Sequence, residues 1–397
     1  MGKIFISMSG EGRGHATRVR ALVEALRGEH EITLFAPGDA YGFLWPMYGD
    51  SEVHLRRIDG LRFSYSATRR LDYRLTLREA FGYLRGLPSL VESLCDIIQR
   101  EQPDLAITDF EPALPRAAKR CQVPFLSVDH QHFLRVSDFS DLPARLRWHA
   151  RYMAQVVGAY CCGQAETVVS SFYSPPLRSG LRNVTQVGVL LRPEVAAAIP
   201  EDGQHLVVYC RRFASDQFLC ALAATGRPVR IFGLGPRPRA GNLVFKAISE
   251  SGFVHDLASA AALVCTAGNQ IVGEAMALGK PVLALPEAGN CEQFINAHFL
   301  RRSGAGDWVE LETVSTVHLD CFLGRLDEFR SHLGQETRDG LPATLAVIQR
   351  YLLGAQSGAS VLAPAMAGPV ALSEPGTGRQ LPNRCQKPVG GAIVRAA

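Results

Sequence analysis

The chain has 397 residues, which is long for one ordinary domain and favours two. Hydrophobic residues make up 47% and charged residues 20%, as in a well-packed soluble protein. A net charge of +4 is too small to indicate a nucleic-acid binder, although it suits anionic small molecules or a membrane surface. The ten cysteines show no paired metal-ligand spacing, so we expect reduced, mostly buried thiols and no metal site.

The chain starts with a short apolar run over residues 3–8 that leads directly into a glycine-rich turn. This pattern lacks the longer apolar core and the cleavage site of a signal peptide. No apolar segment is long enough to predict a membrane-spanning helix. We therefore expect a cytoplasmic protein.

Short apolar runs alternate with longer helical stretches, a pattern typical of α/β proteins with parallel sheets. The first half predicts strands near 3–8, 31–36, 53–58, 104–109 and 124–128, helices near 16–27, 74–100 and 112–121, and a helical segment over 133–165. The pattern restarts with strands near 205–210, 229–233, 243–246, 261–265 and 281–285, and helices near 215–225, 269–278, 291–302 and 341–353.

This arrangement predicts two Rossmann-like, doubly wound domains that face each other across a cleft. We place an N-terminal domain at 1–190, a C-terminal domain at 191–354, and a disordered tail rich in Ala, Gly, Pro and Ser at 355–397. Ligands of such sheets bind beyond the carboxyl ends of the strands, so the chemistry is expected in the cleft.

The first predicted strand ends in a glycine-rich loop, Ser-Gly-Glu-Gly-Arg-Gly-His-Ala. Gly12 and Gly14 let the backbone turn and approach a ligand, and the helix start behind them favours negative charge. The spacing lacks the third glycine of a dinucleotide-binding loop, which makes it a weak indication of NAD. His15 is expected to project into the cleft, where it could act as a base, or else to cap or pack at the helix start.

Acidic and histidine side chains also follow the fourth and fifth predicted strands. Asp109 and Glu111 follow one, and Asp129 and His130 follow the other. In the common doubly wound order these strand ends lie beside the first, which would bring the four residues close to His15. A carboxylate next to a histidine orients the ring and stabilises its protonated form, so Asp109 is the expected partner.

In the second half, residues 265–286 predict a strand, a glycine turn, a helix and a buried strand. The backbone amides of Gly268 and Asn269 at the helix start could hold a diphosphate. Glu274, on the same helix, could accept ribose hydroxyls, or could simply interact with the helix dipole. Glu292 and Gln293 are expected at the mouth of the same sheet.

Four ordered motifs carry a resemblance to a known family: Gly-Arg-Gly-His, Asp-Phe-Glu-Pro, Asp-His-Gln-His, and a block from Ala-Gly to Glu-Gln-x-x-Asn-Ala. From about residue 3 to residue 303 the chain resembles the GT-B glycosyltransferases, close to the MurG N-acetylglucosaminyltransferases and the UDP-glycosyltransferases. The resemblance implies metal-independent transfer, because helix dipoles and basic residues stabilise the leaving diphosphate.

The resemblance also implies residue roles. His15 matches the general base and Asp109 its acidic partner. Glu274 falls where relatives bind the donor ribose, and Glu292 and Gln293 where they contact the donor sugar. Val254 lies in a segment, 253–255, whose backbone is expected to contact the nucleotide base. The second glycine-rich loop of MurG-like relatives is absent, and Arg211 or Arg212 could replace it as phosphate ligands or lie on the surface.

The expected activity is inverting sugar transfer from a nucleotide-diphosphate donor, which is a substrate, so that no cofactor is expected. A nucleotide-sugar hydrolase or epimerase is an alternative, since its loop also carries Gly-His followed by an arginine, here Arg18. A non-catalytic nucleotide-sugar sensor is another. The acceptor stays open between a lipid-linked and a small molecule. Arginines and aromatics over 61–90 could rest on a membrane, or could form the solvated face of a packed helix.

Overall fold

The computed structural model describes residues 1–10, 13–61, 73–211, 213–333 and 339–356. They form two seven-stranded sheets with helices packed against them, as the α/β pattern predicts. The predicted tail at 355–397 lies outside the described residues except for the end of the last helix, and so does Gly12.

The first sheet has the order β3-β2-β1-β4-β5-β6-β7, and all its strand pairs are parallel. Its strands are β1 (Lys3–Met8), β2 (Glu31–Pro37), β3 (His54–Ile58), β4 (Leu105–Asp109), β5 (Phe125–Asp129), β6 (Glu166–Ser170) and β7 (Val184–Val187). The helices of this half are α1 (Arg13–Leu26), α2 (Gly38–Tyr48), α3 (Tyr73–Glu101), α4 (Ala113–Arg120), α5 (Phe133–Val136) and α6 (Ala144–Tyr160).

The second sheet has the order β10-β11-β9-β8-β12-β13-β14, and only its edge strand β10 is antiparallel. Its strands are β8 (Leu206–Tyr209), β9 (Val229–Phe232), β10 (Arg237–Ala240), β11 (Leu243–Lys246), β12 (Ala262–Cys265), β13 (Val282–Ala284) and β14 (Gly306–Trp308). The helices are α7 (Pro193–Ala196), α8 (Asp216–Ala224), α9 (Glu250–Ala258), α10 (Asn269–Ala277), α11 (Cys291–Ser303), α12 (Thr316–Leu323), α13 (Leu326–His332) and α14 (Leu341–Gln356).

The ten strands and seven helices predicted from the sequence are present, whereas the segment over 133–165 is not one helix. It divides into α5 and α6, and α6 begins directly after Pro143. Proline disfavours the helical conformation of the residue before it, which explains the break. A large apolar cluster then spans the two halves, joining Phe133 and Tyr173 of the first to Phe253 and Phe299 of the second.

The last helix corrects the domain range 191–354. Val347, Ile348, Tyr351 and Leu352 of α14 are buried in the core of the first half, together with Ile4 and other residues of β1. The chain therefore crosses from the second half back to the first. The return lies beside the outward crossing, since Gly340 donates its N–H to the Val189 carbonyl at 3.0 Å. The sequence pattern places α14 next to the second half because packing across halves leaves no local signal.

Candidate functional site

A buried carboxylate binds an imidazole and a guanidinium at the edge of the first sheet. His15, in the first turn of α1, contacts Asp109 Oδ1 through Nδ1 at 2.9 Å. Arg18, one turn later, donates from Nε to Asp109 Oδ2 at 2.9 Å and from Nη2 to Oδ1 at 3.0 Å. Arg18 is 3% exposed and Asp109 1% exposed, while the His15 side chain keeps 13% of its surface.

The fold fixes the position of Asp109. It is the last residue of β4 and lies opposite Met8 at the end of β1, and its carbonyl accepts the N–H of Ser9 at 2.9 Å. Phe110 then takes a left-handed φ of 54°, an unfavourable conformation for a bulky residue, and its ring packs 4.8 Å from that of Tyr160. The turn directs Asp109 towards α1.

A carboxylate only accepts hydrogen bonds, so the contact with Asp109 places the ring proton of neutral His15 on Nδ1. Nε2 is then the unprotonated nitrogen that can take a proton from a substrate. The predicted pair of His15 and Asp109 is therefore assembled. Arg18 was noted from the sequence only as part of a hydrolase-like loop. Its spacing of three residues from His15, which places both on one helix face, is the signal that indicates a shared site.

Glu111 and Asp129 were predicted on the acceptor side, and in the structure both are bonded to neighbouring residues of the first half. Glu111 accepts the N–H groups of Ala113 at 2.7 Å and Leu114 at 2.9 Å, and so caps α4. Burial raises the pKa of Glu111, and those two amides oppose the rise. Its oxygens are used by the helix start, not presented to the cleft.

Asp129 is completely buried and bonded to its neighbours. It accepts the backbone N–H of His132 at 2.8 Å, the His132 ring at 2.7 Å and the Ser127 hydroxyl at 2.5 Å. Burial alone would raise its pKa, but the charge and donors of His132 and Ser127 lower the pKa of Asp129 to about 2. It therefore holds the turn after β5 and does not reach the cleft.

His130 lies where the two halves touch. Its Nε2 is 3.3 Å from Asn296 Oδ1 on α11, and its ring stacks on Phe133 with centroids 4.4 Å apart. The Tyr173 hydroxyl donates to the same Asn296 oxygen at 2.8 Å. Burial lowers the pKa of His130 to about 3, and the charge of Arg18 adds to the effect. His130 is a neutral interface residue at physiological pH.

The start of α10 faces the start of α1 across the cleft. Gly14 is near enough to α10 that a Cβ there would lie 3.9 Å from Gln270 Cβ. Gly268 is the N-cap residue, and no side chain caps this helix end. The Asn269 side chain is engaged elsewhere, because it accepts from the Ser171 hydroxyl at 3.1 Å and donates to the Ser170 carbonyl at 3.1 Å. Its contribution to an anion would come from its backbone amide.

Glu274 has both carboxylate oxygens bonded. Arg192 donates to Oε1 from Nε at 3.1 Å and to Oε2 from Nη2 at 2.8 Å, and Gln270 donates to Oε1 at 3.1 Å. Glu274 is also 1% exposed. Accepting ribose hydroxyls would require one of these bonds to yield, so this role stays a prediction.

The start of α11 carries the two residues predicted to contact the donor sugar. Burial raises the pKa of Glu292, while the charges of His15, Arg18 and Arg211 oppose the rise, which places this carboxyl within range of the first-half site. Gln293 accepts the N–H of Glu287 at 2.7 Å and so holds the loop before α11. Glu292 therefore lies within electrostatic range of the imidazole.

Two further predictions concern Val254 and Arg211. Val254 is buried inside α9, whose backbone groups are used by the helix, as in the bond from Phe253 N to the Ser249 carbonyl at 2.9 Å. The contact of this segment with a nucleotide base stays a prediction. Arg211 lies two residues after the end of β8, and its charge favours a lower pKa of both Tyr209 and Glu292. Arg212 lies outside the described residues.

Sequence reasoning missed Arg13, the first residue of α1. Its Nη1 lies 3.6 Å from Glu250 Oε1 on α9, and its guanidinium is 5.3 Å from the centre of the Phe43 ring. The charges of Arg13 and Arg211 both favour a lower pKa of Tyr209, so arginines from the two halves lie around one point of the cleft. The Gly-Arg-Gly-His loop contained this signal between its glycines.

Within the described ranges, no group of three or more His, Cys, Asp or Glu side chains is arranged to hold a metal ion. Over the same residues, every helix is too short or too polar to cross a bilayer.

Comparisons with known proteins agree with this architecture. The model of glycosyl transferase family 1 matches residues 2–327. A protein of Methanosarcina mazei, named an uncharacterized glycosyltransferase, is 24% identical over 350 residues, which is 80% of this chain and 89% of the relative. A protein of the same name from Methanosarcina acetivorans is 24% identical over 354 residues, which is 82% of this chain and 88% of the relative.

Solved structures share the fold at low sequence identity. The chain is 15% identical to MurG of Acinetobacter baumannii, with a TM-score of 0.58 over 88% of this chain and 100% of MurG. The chain is 18% identical to LpCGTa in complex with UDP, with a TM-score of 0.63 over 89% of this chain and 100% of LpCGTa. It is 14% identical to UGT89C1 of Arabidopsis thaliana complexed with UDP-L-rhamnose, with a TM-score of 0.65 over 89% of this chain and 99% of UGT89C1. With a family model that matches most of its length, the chain belongs to glycosyl transferase family 1 and is a glycosyltransferase of the GT-B fold.

Proposed function

We propose that the protein transfers a sugar, with inversion, from a nucleotide-diphosphate donor to an acceptor hydroxyl, and that the donor is a UDP-sugar. The observation that carries the proposal is the contact between His15 Nδ1 and Asp109 Oδ1 at the carboxyl edge of the first sheet. This edge faces α10 and α11 of the second half, so a base in one half meets the helix starts of the other.

In the proposed step, the acceptor O–H proton moves to His15 Nε2 as the oxygen attacks the anomeric carbon. The bond from that carbon to the diphosphate breaks, and the diphosphate leaves with the electron pair. Asp109 orients the ring and interacts favourably with the imidazolium that forms. Attack opposite the leaving group inverts the anomeric centre.

The leaving diphosphate needs positive charge where it departs. The backbone amides of Gly268 and Asn269 at the start of α10, with Arg13 and Arg211, are the groups that we assign to it. Two structures with the same fold carry UDP or UDP-L-rhamnose, which supports a uridine donor here. We propose that these groups act without a metal ion, and that the protein works in the cytoplasm.

The test is product analysis with UDP-glucose and UDP-N-acetylglucosamine, with and without a panel of sugar, phenol and lipid-linked acceptors. A transferase forms glycoside only with acceptor and releases free sugar slowly without it. Rapid sugar release without acceptor would indicate a hydrolase, and an isomerised donor would indicate an epimerase. Binding of the donor with no turnover would favour a sensor. The transferase proposal is contradicted if His15→Ala turns over as fast as the wild type.

Donor placement has a separate test in the binding of UDP to the wild type and to Glu274→Gln, measured by calorimetry and by thermal unfolding. A ligand at 100 times its Kd stabilises a protein by about 2.7 kcal/mol. We expect UDP to raise the Tm of the wild type clearly and that of the variant less. An equal rise in both proteins would remove Glu274 from the donor site.

We also propose contact with an anionic membrane surface, and the observation that favours it lies on α6. This 17-residue helix contains no acidic residue and carries Arg145, Arg147 and Arg151. Trp148 and Tyr152 lie one turn apart on its outer side and are 67% and 68% exposed. Tryptophan and tyrosine beside arginine are typical of helices that lie at the level of lipid headgroups.

The basic and aromatic segment predicted over 61–90 supports this contact less well. Residues 62–72 lie outside the described residues, and in α3 the apolar side chains of Leu87, Leu94 and Ile98 are buried in the core. Arg78 and Arg85 are exposed, as expected for a packed amphipathic helix with a solvated face. The membrane proposal therefore depends on α6.

A further inference from the structure

Glu250, the first residue of α9 in the second half, lies among arginines from both halves of the chain. Arg13 and Arg20 reach it from α1. The distance is 3.6 Å from Arg13 Nη1 to Oε1 and 3.5 Å from Arg20 Nη1 to Oε2. Arg192, in the segment that joins the halves, donates from Nη1 to Oε2. One carboxylate of the second half is therefore the common partner of three guanidinium groups, two of which belong to the first half.

The spacing along α1 explains why Arg13 and Arg20 reach the same carboxylate. They are seven residues apart, which is about two helical turns, so their side chains lie on one face of α1. Gly14, the neighbour of Arg13, lies at the start of α10, where a Cβ on Gly14 would be 3.9 Å from Gln270 Cβ. The contacts with Glu250 therefore fix α1 at the point where it meets the second half.

Most of this charge network is shielded from water. The side chains of Arg20, Arg192 and Glu250 are 11%, 6% and 18% exposed. Ion pairs of this kind are screened by salt much less than surface pairs, and the loss of one partner leaves the other charges buried and uncompensated. Without the negative charge of Glu250, the guanidinium groups of Arg20 and Arg192 would face each other, which favours separation of α1 from α9.

A second ion pair joins the halves at the surface and provides a comparison. Arg302 of α11 donates to Asp141, in the first half, at 2.8 Å. Their side chains are 56% and 63% exposed, and exposed pairs contribute little to stability. If ion pairs hold the halves together, the pairs of Glu250 should therefore matter more than this one.

We propose that Glu250 is a positioning residue, which holds the cleft closed by binding Arg13 and Arg20 of α1. Closure places His15, two residues after Arg13, opposite the start of α10, where the proposed reaction takes place. The effect of Glu250 on turnover rests on the proposed function. Its effect on the cleft does not need that function.

A pair of cysteines across the cleft measures closure directly. Gly14→Cys with Gln270→Cys places two Cβ atoms 3.9 Å apart, which is within the range of disulfide bonds. Oxidised glutathione is added to the full chain without substrate, and the rate of disulfide formation is followed by mass spectrometry of the cross-linked peptide. With Glu250→Gln added to this pair, we expect the rate to fall about fivefold or more, because the rate follows the closed fraction of the molecules.

The matched control is Asp141→Asn, which removes the exposed pair between the halves and should leave the cross-linking rate unchanged. Glu250→Asp keeps the charge and should retain most of the rate. If Glu250→Gln does not fold, Arg20→Met takes its place and should also slow the cross-link, because it removes one contact of α1 with Glu250. An unchanged rate in the folded variant overturns the inference whether or not the protein transfers sugar.

Steady-state kinetics of the chain without the added cysteines are the second measurement. A cleft that is closed for only part of the time binds its donor more weakly by that fraction, whereas saturating donor restores closure. Glu250→Gln should therefore raise the KM for the UDP-sugar about fivefold and change kcat less than about twofold. A residue that only supports the fold would lower the concentration of active enzyme, and so kcat, at an unchanged KM, which would contradict the proposal. If cross-linking slows while no transfer is found with any acceptor, the proposed function fails and this inference stands.

Discussion

Arg192 donates to both carboxylate oxygens of Glu274, and it does so from the segment that joins the two halves. It also contacts Glu250 at the start of α9. One buried guanidinium thus fixes two helices of the second half against the crossing. Gly273 makes this close packing possible, because a Cβ there would lie 2.3 Å from Val189 Cγ1.

Removing this guanidinium should be costly. Arg192→Met leaves Glu274 buried without its main partner, and breaking a buried pair from one side costs about 3–5 kcal/mol. We expect a loss of that size in the free energy of urea unfolding. Arg302→Met is the matched control, because Arg302 pairs with Asp141 at the surface and such pairs contribute less than about 1 kcal/mol. Equal losses of unfolding free energy in both variants would show that the buried Arg192 pair contributes no more to stability than a surface pair.

Variants of His15 and Asp109 should lower kcat without a large change in UDP affinity. His15→Ala should lower kcat by about 10²–10⁴-fold, the usual contribution of general base catalysis, with little change in UDP affinity. Asp109→Asn should lower kcat as well, since an amide can present its N–H to Nδ1 and stabilise the wrong tautomer. Measured Kd values for UDP serve as the control. A large loss of UDP binding in His15→Ala would instead place His15 in the donor site.

His130 should make the fold sensitive to acid. Its pKa is about 3 in the folded chain and close to 6.5 when unfolded, so between these values only the unfolded state binds the proton. The free energy of unfolding should therefore fall as the pH drops below 6.5. Relative to His130→Gln, the wild type should lose about 2 kcal/mol between pH 7 and pH 5.

The measurement is urea unfolding of both proteins at pH 7, 6 and 5. His54→Gln, at an exposed position on β3, controls for the general loss of stability in acid. If the difference between the wild type and His130→Gln stays constant with pH, the histidine is not held neutral by its surroundings.

Membrane contact should depend on the outer face of α6. We expect the wild type to co-sediment with vesicles that contain 30 mol% phosphatidylglycerol. Its binding to pure phosphatidylcholine vesicles should be about tenfold weaker, because charge attraction contributes. The double variant Trp148→Glu with Tyr152→Glu should bind the phosphatidylglycerol vesicles about tenfold more weakly than the wild type, because apolar burial contributes as well. Val317→Glu, an exposed apolar position on α12, should bind like the wild type. Loss of binding only in the α6 variant supports the proposal, and binding by none of the proteins contradicts it.

The two sheets could be predicted from the sequence because each strand is a local apolar run and each half repeats the same alternation. The order of β3, β2, β1, β4 and β5 follows from the doubly wound rule, and it brings His15 beside Asp109 as expected. Short or edge elements such as β7, β10 and β14 escaped prediction, since three or four residues give no periodicity.

The limits at the site have a physical cause as well. Sequence spacing identifies an acid after a strand, but not whether its oxygens are used by nearby backbone, as in Glu111 and Asp129. It also cannot show partners from distant segments, and Arg192 reaches Glu274 across 82 residues of chain. Arg18 likewise contacts Asp109 from a distant segment of the chain, although the sequence does show its helical spacing from His15.

The return of α14 to the first half has a consequence for motion. The chain passes between the two halves at two points that lie side by side, where Gly340 bonds to Val189 and Asp339 accepts the Leu191 N–H at 3.2 Å. Two adjacent attachments permit rotation about the line through them and oppose twisting or separation of the halves. Opening of the cleft should therefore follow a single arc, with His15 and the start of α10 parting and meeting along the same path in every cycle.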